Sequence, residues 1–141
     1  MTIEVAGTGE LLETTDDRPF VEPRGGRTFT LRIPVRISAA APPDATLSVR
    51  LMHPEVQTRD ALQHRSYRFD ASTRRHAKAD GDTIALDDVF AGLRTASEHF
   101  DVTVREVAFG ALDGATITAR IDATVRTGET ATPFTVDAVL R

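Results

Sequence analysis

A run of twelve residues, 115–126, alternates without a break between apolar and polar side chains. A period of two places the apolar side chains on one face of an extended strand, because successive side chains point to opposite faces. Threonines occupy several of the polar positions, which suits a pleated and half-exposed surface. The run predicts a long strand with one buried face, so the chain must fold into a packed β architecture. The apolar positions are Ala115, Ile117, Ala119, Ile121, Ala123 and Val125.

The same alternation recurs along the chain. It predicts strands over 29–37, over 47–51 and from Phe134 to the terminus. Pro34 interrupts the first of these and lacks an amide donor, which indicates an edge strand or a β-bulge. The C-terminal strand ends with the chain, so we expect either a free sheet edge or a central, fully paired strand. Weaker strands are predicted at Ile3–Val5, Leu11–Thr14, Tyr67–Phe69 and Thr83–Leu86.

The residues before the long strand change phase. Val102 and Val104 share one phase, whereas Val107 and Phe109 share the other. Such a switch predicts a β-bulge near Arg105–Glu106, because one extra residue moves every later side chain to the opposite face. Asp113-Gly114 predicts a hairpin turn, since both residues accept a positive φ.

One segment has helical spacing. Apolar residues between Leu86 and Phe100 recur at intervals of three and four, which predicts a helix over 87–100 that Asp87 or Asp88 caps. Gly92 lowers the stability of this helix by about 1 kcal/mol relative to alanine. We therefore expect one domain, 1–141, of the α+β class and predominantly antiparallel β. It would be a β-sandwich or a curved sheet of about eight strands with this helix packed on it.

Composition excludes several classes of site. The chain has no cysteine, which removes thiol nucleophiles, thiolate metal sites and disulfides. It has a single lysine, Lys78, against sixteen arginines, which we interpret as a bacterial-type habit of the source genome. No apolar run is long enough to cross a membrane, and the segment 1–9 lacks the basic and apolar regions of a signal peptide. We expect a cytoplasmic protein that binds no membrane.

Charge is unevenly distributed. The segment 59–78 holds six basic and two acidic residues, a net +4, whereas the rest of the chain carries −8. We interpret 54–80 as a long basic loop or irregular segment, and its cations as a candidate interaction surface. The acidic remainder disfavours nucleic acid as the partner. The cations are Arg59, Arg65, Arg68, Arg74, Arg75 and Lys78.

Four histidines are the candidates for acid–base chemistry: His53, His64, His76 and His99. None shows the tight spacing of a zinc site, but two that converge in the fold would make a pocket. Asp80-Gly81-Asp82 and Asp87-Asp88 are better explained by a turn and a helix cap than by a Ca²⁺ loop. We predict no metal, no cofactor and no assigned catalytic residue.

These features favour a non-enzymatic binding or assembly subunit that contacts a protein partner or itself, for example head to tail. The first alternative is a small enzyme or small-ligand binder with a histidine and carboxylate pocket between helix and sheet. The second alternative is a nucleic-acid accessory protein that uses the basic segment 59–78.

Overall fold

A computed structural model describes residues 2–15, 27–37, 45–53, 58–69, 78–80, 83–86 and 90–141. Within these ranges the chain forms eleven strands and one short 3₁₀ helix, and no α-helix. The strands are β1 (Ile3–Val5), β2 (Glu10–Thr15), β3 (Arg27–Ile37), β4 (Ala45–His53), β5 (Ser66–Phe69), β6 (Lys78–Asp80), β7 (Thr83–Leu86), β8 (Phe90–Arg94), β9 (His99–Asp113), β10 (Thr116–Thr127) and β11 (Thr130–Leu140). The 3₁₀ helix is Arg59–Leu62.

The strands form a nearly closed, barrel-like sheet. Antiparallel pairing runs from β3 through β4, β8, β9 and β10 to β11. The end of β11 then meets the start of β2, which pairs back with β3. Three backbone hydrogen bonds make this closure: Gly9 N–H to Val139 O at 2.8 Å, Arg141 N–H to Gly9 O at 3.0 Å, and Leu11 N–H to Arg141 O at 2.8 Å. Strands β5, β7 and β6 branch from β9, and β5 pairs with β7 in parallel.

The predicted helix over 87–100 is wrong. Phe90–Arg94 is strand β8, a turn follows, and His99 begins β9. Leu93, part of the helical pattern, is fully buried opposite Leu47 of β4 and Phe100 of β9. Thr95 stabilises the turn, because its hydroxyl accepts the backbone N–H of Glu98 at 2.9 Å. Tertiary pairing therefore outweighs a helical spacing that Gly92 already weakened. Residues 87–89 lie outside the described ranges.

Several local predictions are confirmed. Asp122 pairs with Glu106 and Ala123 with Val104, which leaves Arg105 as the extra residue of a bulge in β9. Gly114 has a φ of 60° in the turn between β9 and β10.

Pro34 also lies at a bulge: the four residues 6–9 face only Ile33 and Pro34, and the Pro34 carbonyl accepts Ala6 N–H at 2.8 Å. The missing amide of Pro34 therefore falls where regular pairing is interrupted. The four weaker strands are β1, β2, β5 and β7.

The edge of β11 is partly covered. Val139 and Arg141 direct their backbone groups to β2, so Asp137, Thr135 and Pro133 face the same way, because alternate residues of a strand bond to the same side. No strand of the described ranges pairs with this edge between Thr130 and Asp137. Pro133 interrupts the edge, and we expect it to oppose strand addition there, since proline has no N–H to donate.

Candidate functional site

The barrel interior is filled by side chains. Buried apolar residues come from each strand of the circuit, and Leu62 and Tyr67 join them from the 3₁₀ helix and β5. Side chains commonly fill the interior of a small barrel in this way. The largest fully buried side chains are Tyr67, Phe29, Leu31, Ile33, Leu47, Leu51, Leu62, Leu93, Ile117, Ile121 and Leu140.

Tyr67 is a buried titratable group of this interior. Its ring packs edge-to-face on Phe109 with 5.8 Å between ring centroids. Burial raises the pKa of the Tyr67 hydroxyl well above its usual value, although the positive charge of Arg65 opposes the shift. The raised pKa of this hydroxyl favours the protonated phenol.

The described cations of the basic segment lie in different environments. Arg59 is half-buried and donates from Nη2 to the carbonyl of Leu140 at 3.3 Å, so it ties the 3₁₀ helix to the end of β11. Arg68 is exposed on β5, with Nε 3.7 Å from Glu106 Oε2. Such an exposed pair contributes about 0–1 kcal/mol. Arg65 is half-buried and Lys78 begins β6, while Arg74 and Arg75 lie outside the described ranges.

The histidines that can be placed do not converge. His99 is exposed at the start of β9, whereas the backbone N–H of His64 donates to Gly110 O near the other end of that strand. Eleven residues of strand separate these two points, a path of roughly 35 Å. His53 ends β4 with its side chain outside the described part, and His76 lies outside it altogether. The predicted pocket between helix and sheet also lacks its helix.

His64 has a backbone role in its turn. It is exposed and adopts a φ of 58°, a conformation that costs an ordinary residue about 1 kcal/mol. We expect His64→Val to lower the free energy of unfolding by about 1 kcal/mol, because a β-branched side chain fits this conformation poorly. His64→Gly should leave it unchanged or slightly raised. Urea unfolding measures both, and His99→Val, which places the same change in an extended strand, is the control. Equal losses at positions 64 and 99 would contradict this role.

Two recesses on the outside of the barrel, both lined by described residues, are candidate sites. One lies on the outer face of β9, β10 and β11, beside Val139 and Gly110. The other lies on β3, β4, β8 and the start of β9, around Gly92. Sequence analysis singled out His99 alone among their lining residues. Arginine at the outward positions of β3 and β4 was the available signal, but only the strand register brings these residues to one place.

The described residues contain no group of three histidine, aspartate or glutamate side chains placed to hold a metal ion. In the same ranges, no helix is long and apolar enough to span a membrane. Comparison of the chain with protein-family models, with curated proteins and with solved structures finds no match in any of the three. Functional inference therefore depends on the residues and geometry of this chain.

Proposed function

We propose that the protein is a non-enzymatic binding or assembly subunit, and that it associates with a second copy of itself through the outer face of β9, β10 and β11. The observation that carries this proposal is the exposed side chain of Val139 beside a recess of small residues. Among the described side chains, Val139 (44% exposed) and Leu12 (38%) are the large apolar ones left exposed. Exposed apolar side chains of this kind are candidates for contact with another protein surface.

The recess follows from the strand register. Val139 of β11 pairs with Thr118 of β10. Gly110 of β9 has no side chain, and the hydroxyl of Thr118 lies in the space that a β-carbon would take there. Ala108 lies in the next row, opposite Arg120. The result is an open recess of about 380 Å³ beside an apolar projection.

The rim of the recess is charged and balanced. Arg120 Nε lies 3.1 Å from Asp137 Oδ1, and both side chains are largely exposed. An apolar projection, an adjacent hollow and one charge of each sign make a self-complementary surface. Across a two-fold axis, Val139 of one copy would enter the hollow of the other, and Arg120 would reach the partner's Asp137. Pro133 supports contact through this face rather than through the β11 edge.

Light scattering behind a sizing column tests the proposal. We expect a dimer for the native chain, and for Val139→Lys a dissociation constant at least about tenfold higher, because burying a valine contributes roughly 1.5 kcal/mol or more. Leu12→Lys introduces the same charge at the other exposed apolar position and should leave the dimer intact.

Salt and charge reversal extend the test. High salt should weaken the dimer moderately, since exchanged surface ion pairs are screened. Arg120→Asp alone should weaken it, and the double variant Arg120→Asp with Asp137→Arg should restore it. A native chain that stays monomeric at every concentration, or a dimer that survives Val139→Lys, would overturn this function. A dimer lost instead with glutamine at Arg68, Arg74, Arg75 and Lys78 would favour the basic segment as the contact.

A further inference from the structure

A second recess, of about 440 Å³, lies on the outer face of β3, β4, β8 and the start of β9. We call it the arginine recess, and the residues that matter for its chemistry are Arg32, Ser48, Arg50, Gly92, Arg94 and His99. It lies on different strands from the proposed dimer face, except for β9, which contributes to the two recesses from opposite ends.

Gly92 and His99 form one side of the recess. Gly92 pairs with Ser48, which pairs with Arg32, so these three residues form one row across β8, β4 and β3. A β-carbon on residue 92 would lie 2.8 Å from Nε2 of His99, so the imidazole occupies the space over the glycine. The imidazole therefore covers Gly92, which is buried, and Ser48 lies beside this pair in the recess.

Three arginines surround Ser48. Arg32 lies in the row of Ser48 and Gly92, while Arg50 and Arg94 each lie two residues further along their own strands, in opposite directions. Neighbouring and diagonal positions of a sheet are about 5–8 Å apart, well within the reach of an arginine side chain. All three guanidinium groups can therefore approach a group seated over Ser48, beside His99.

Two of these arginines differ from Arg105 and Arg120 on the other side of the barrel, which have carboxylate partners. Arg105 Nη2 lies 2.6 Å from Asp122 Oδ1, and Arg120 has its partner in Asp137. Neither Arg32 nor Arg94 forms an ion pair with another described residue. By register, carboxylates lie at the two ends of the row, with Glu10 opposite Arg32 and Asp101 opposite Gly92. The described residues that line the recess itself include three arginines and no carboxylate.

We propose that the arginine recess binds the phosphate group of a small phosphorylated ligand. Guanidinium groups bind phosphate oxygens with paired, charge-assisted hydrogen bonds, and several of them suit a dianion. The Ser48 hydroxyl is a further hydrogen-bond donor in the recess. The volume of the recess suits a small molecule. The net charge of −4 on the chain disfavours a long polyanion there.

Calorimetric titration with inorganic phosphate, at constant ionic strength maintained with chloride, tests the site. We expect saturable binding by the native chain. Arg32→Gln and Arg94→Gln should each weaken it about tenfold or more, the effect of one charge-assisted hydrogen bond. Arg126→Gln is the matched control, because Arg126 is exposed on β10, away from the recess, and the change in net charge is the same. It should leave binding within about twofold, as expected for a distant and screened charge.

A variant that changes the shape of the recess tests whether phosphate binding requires that shape or only positive charge. Gly92→Ala keeps every arginine, and a strand accepts alanine at least as well as glycine. The new methyl group displaces the His99 imidazole, so phosphate binding should fall while the unfolding midpoint in urea stays the same or rises. Absence of saturable binding by the native chain, or equal losses in Arg32→Gln and Arg126→Gln, would overturn the proposal. Tighter binding of succinate than of phosphate would also overturn it, in favour of a carboxylate site. The titration does not depend on the dimer, whose loss in sizing experiments would leave this result unchanged.

Discussion

Gly9→Ala is expected to lower the free energy of unfolding by about 3 kcal/mol. A β-carbon at this position would lie 2.7 Å from Leu140 Cδ2 and 2.8 Å from the backbone carbonyl oxygen of Arg32. Neither neighbour is free to move. Leu140 is fully buried, and Arg32 is a residue of β3 that pairs with Glu10 of β2. Overpacking a tight site costs about 1–3 kcal/mol, and each weakened closure hydrogen bond adds about 1 kcal/mol.

Gly7→Ala is the matched control. It lies two residues earlier on the same bulge, and its β-carbon would meet only Pro34 Cγ, at an ordinary 3.5 Å. This variant should be unchanged or stabilised by up to about 1 kcal/mol, because alanine restricts the unfolded chain. Urea unfolding of the two variants, with amide exchange at position 9, at Leu11 and at Arg141, measures the difference. Equal stability of the Gly7 and Gly9 variants would show that the closure between β2 and β11 does not form as described.

Leu62→Ala is expected to cost about 3 kcal/mol. Leu62 lies on the 3₁₀ helix and is completely buried in the core of the barrel. The helix is held between strands by the His64 N–H bond to Gly110 O at 3.2 Å and by the Arg59 bond to Leu140 O. Removing a buried leucine leaves a cavity, and such changes cost about 2–5 kcal/mol.

Leu12→Ala makes the same chemical change at a leucine that is 38% exposed, and it should cost less than about 1 kcal/mol. Chemical denaturation of both variants provides the comparison. If Leu62→Ala costs no more than Leu12→Ala, the segment around the 3₁₀ helix is not packed into the barrel.

Strand positions were largely predictable because their signal is local. In β10, Ile117, Ile121 and Val125 are buried and alternate with exposed or half-exposed residues, as the period of two requires. The bulge at Arg105 was predictable for the same reason, since an extra residue reverses the phase on either side of it. The helix over 87–100 failed because a short apolar pattern fits both periods. Two pairings decide between helix and strand here: the pairing of β8 with β4, which is distant in sequence, and its pairing with β9, which follows across a turn.

The candidate sites were less accessible to sequence analysis. Clustering along the chain singled out the cations of 59–78, yet Arg59 reaches the carbonyl of Leu140, eighty-one residues away. Arg32, Arg50 and Arg94 are spread over three strands and have no common motif. Their meeting place depends on register, which a list of residues does not contain.

The alternation of side chains by itself determined that this chain is built from amphipathic strands, since the direction of each side chain depends only on its position in an extended backbone. The tertiary structure alone decided that these strands form a nearly closed, barrel-like sheet. Closure requires Gly9 to meet Leu140 across the whole chain, with space for no side chain between Leu140, Ile33 and the Arg32 carbonyl. Such a contact depends on the curvature and stagger accumulated over all the intervening strands, so no local pattern encodes it.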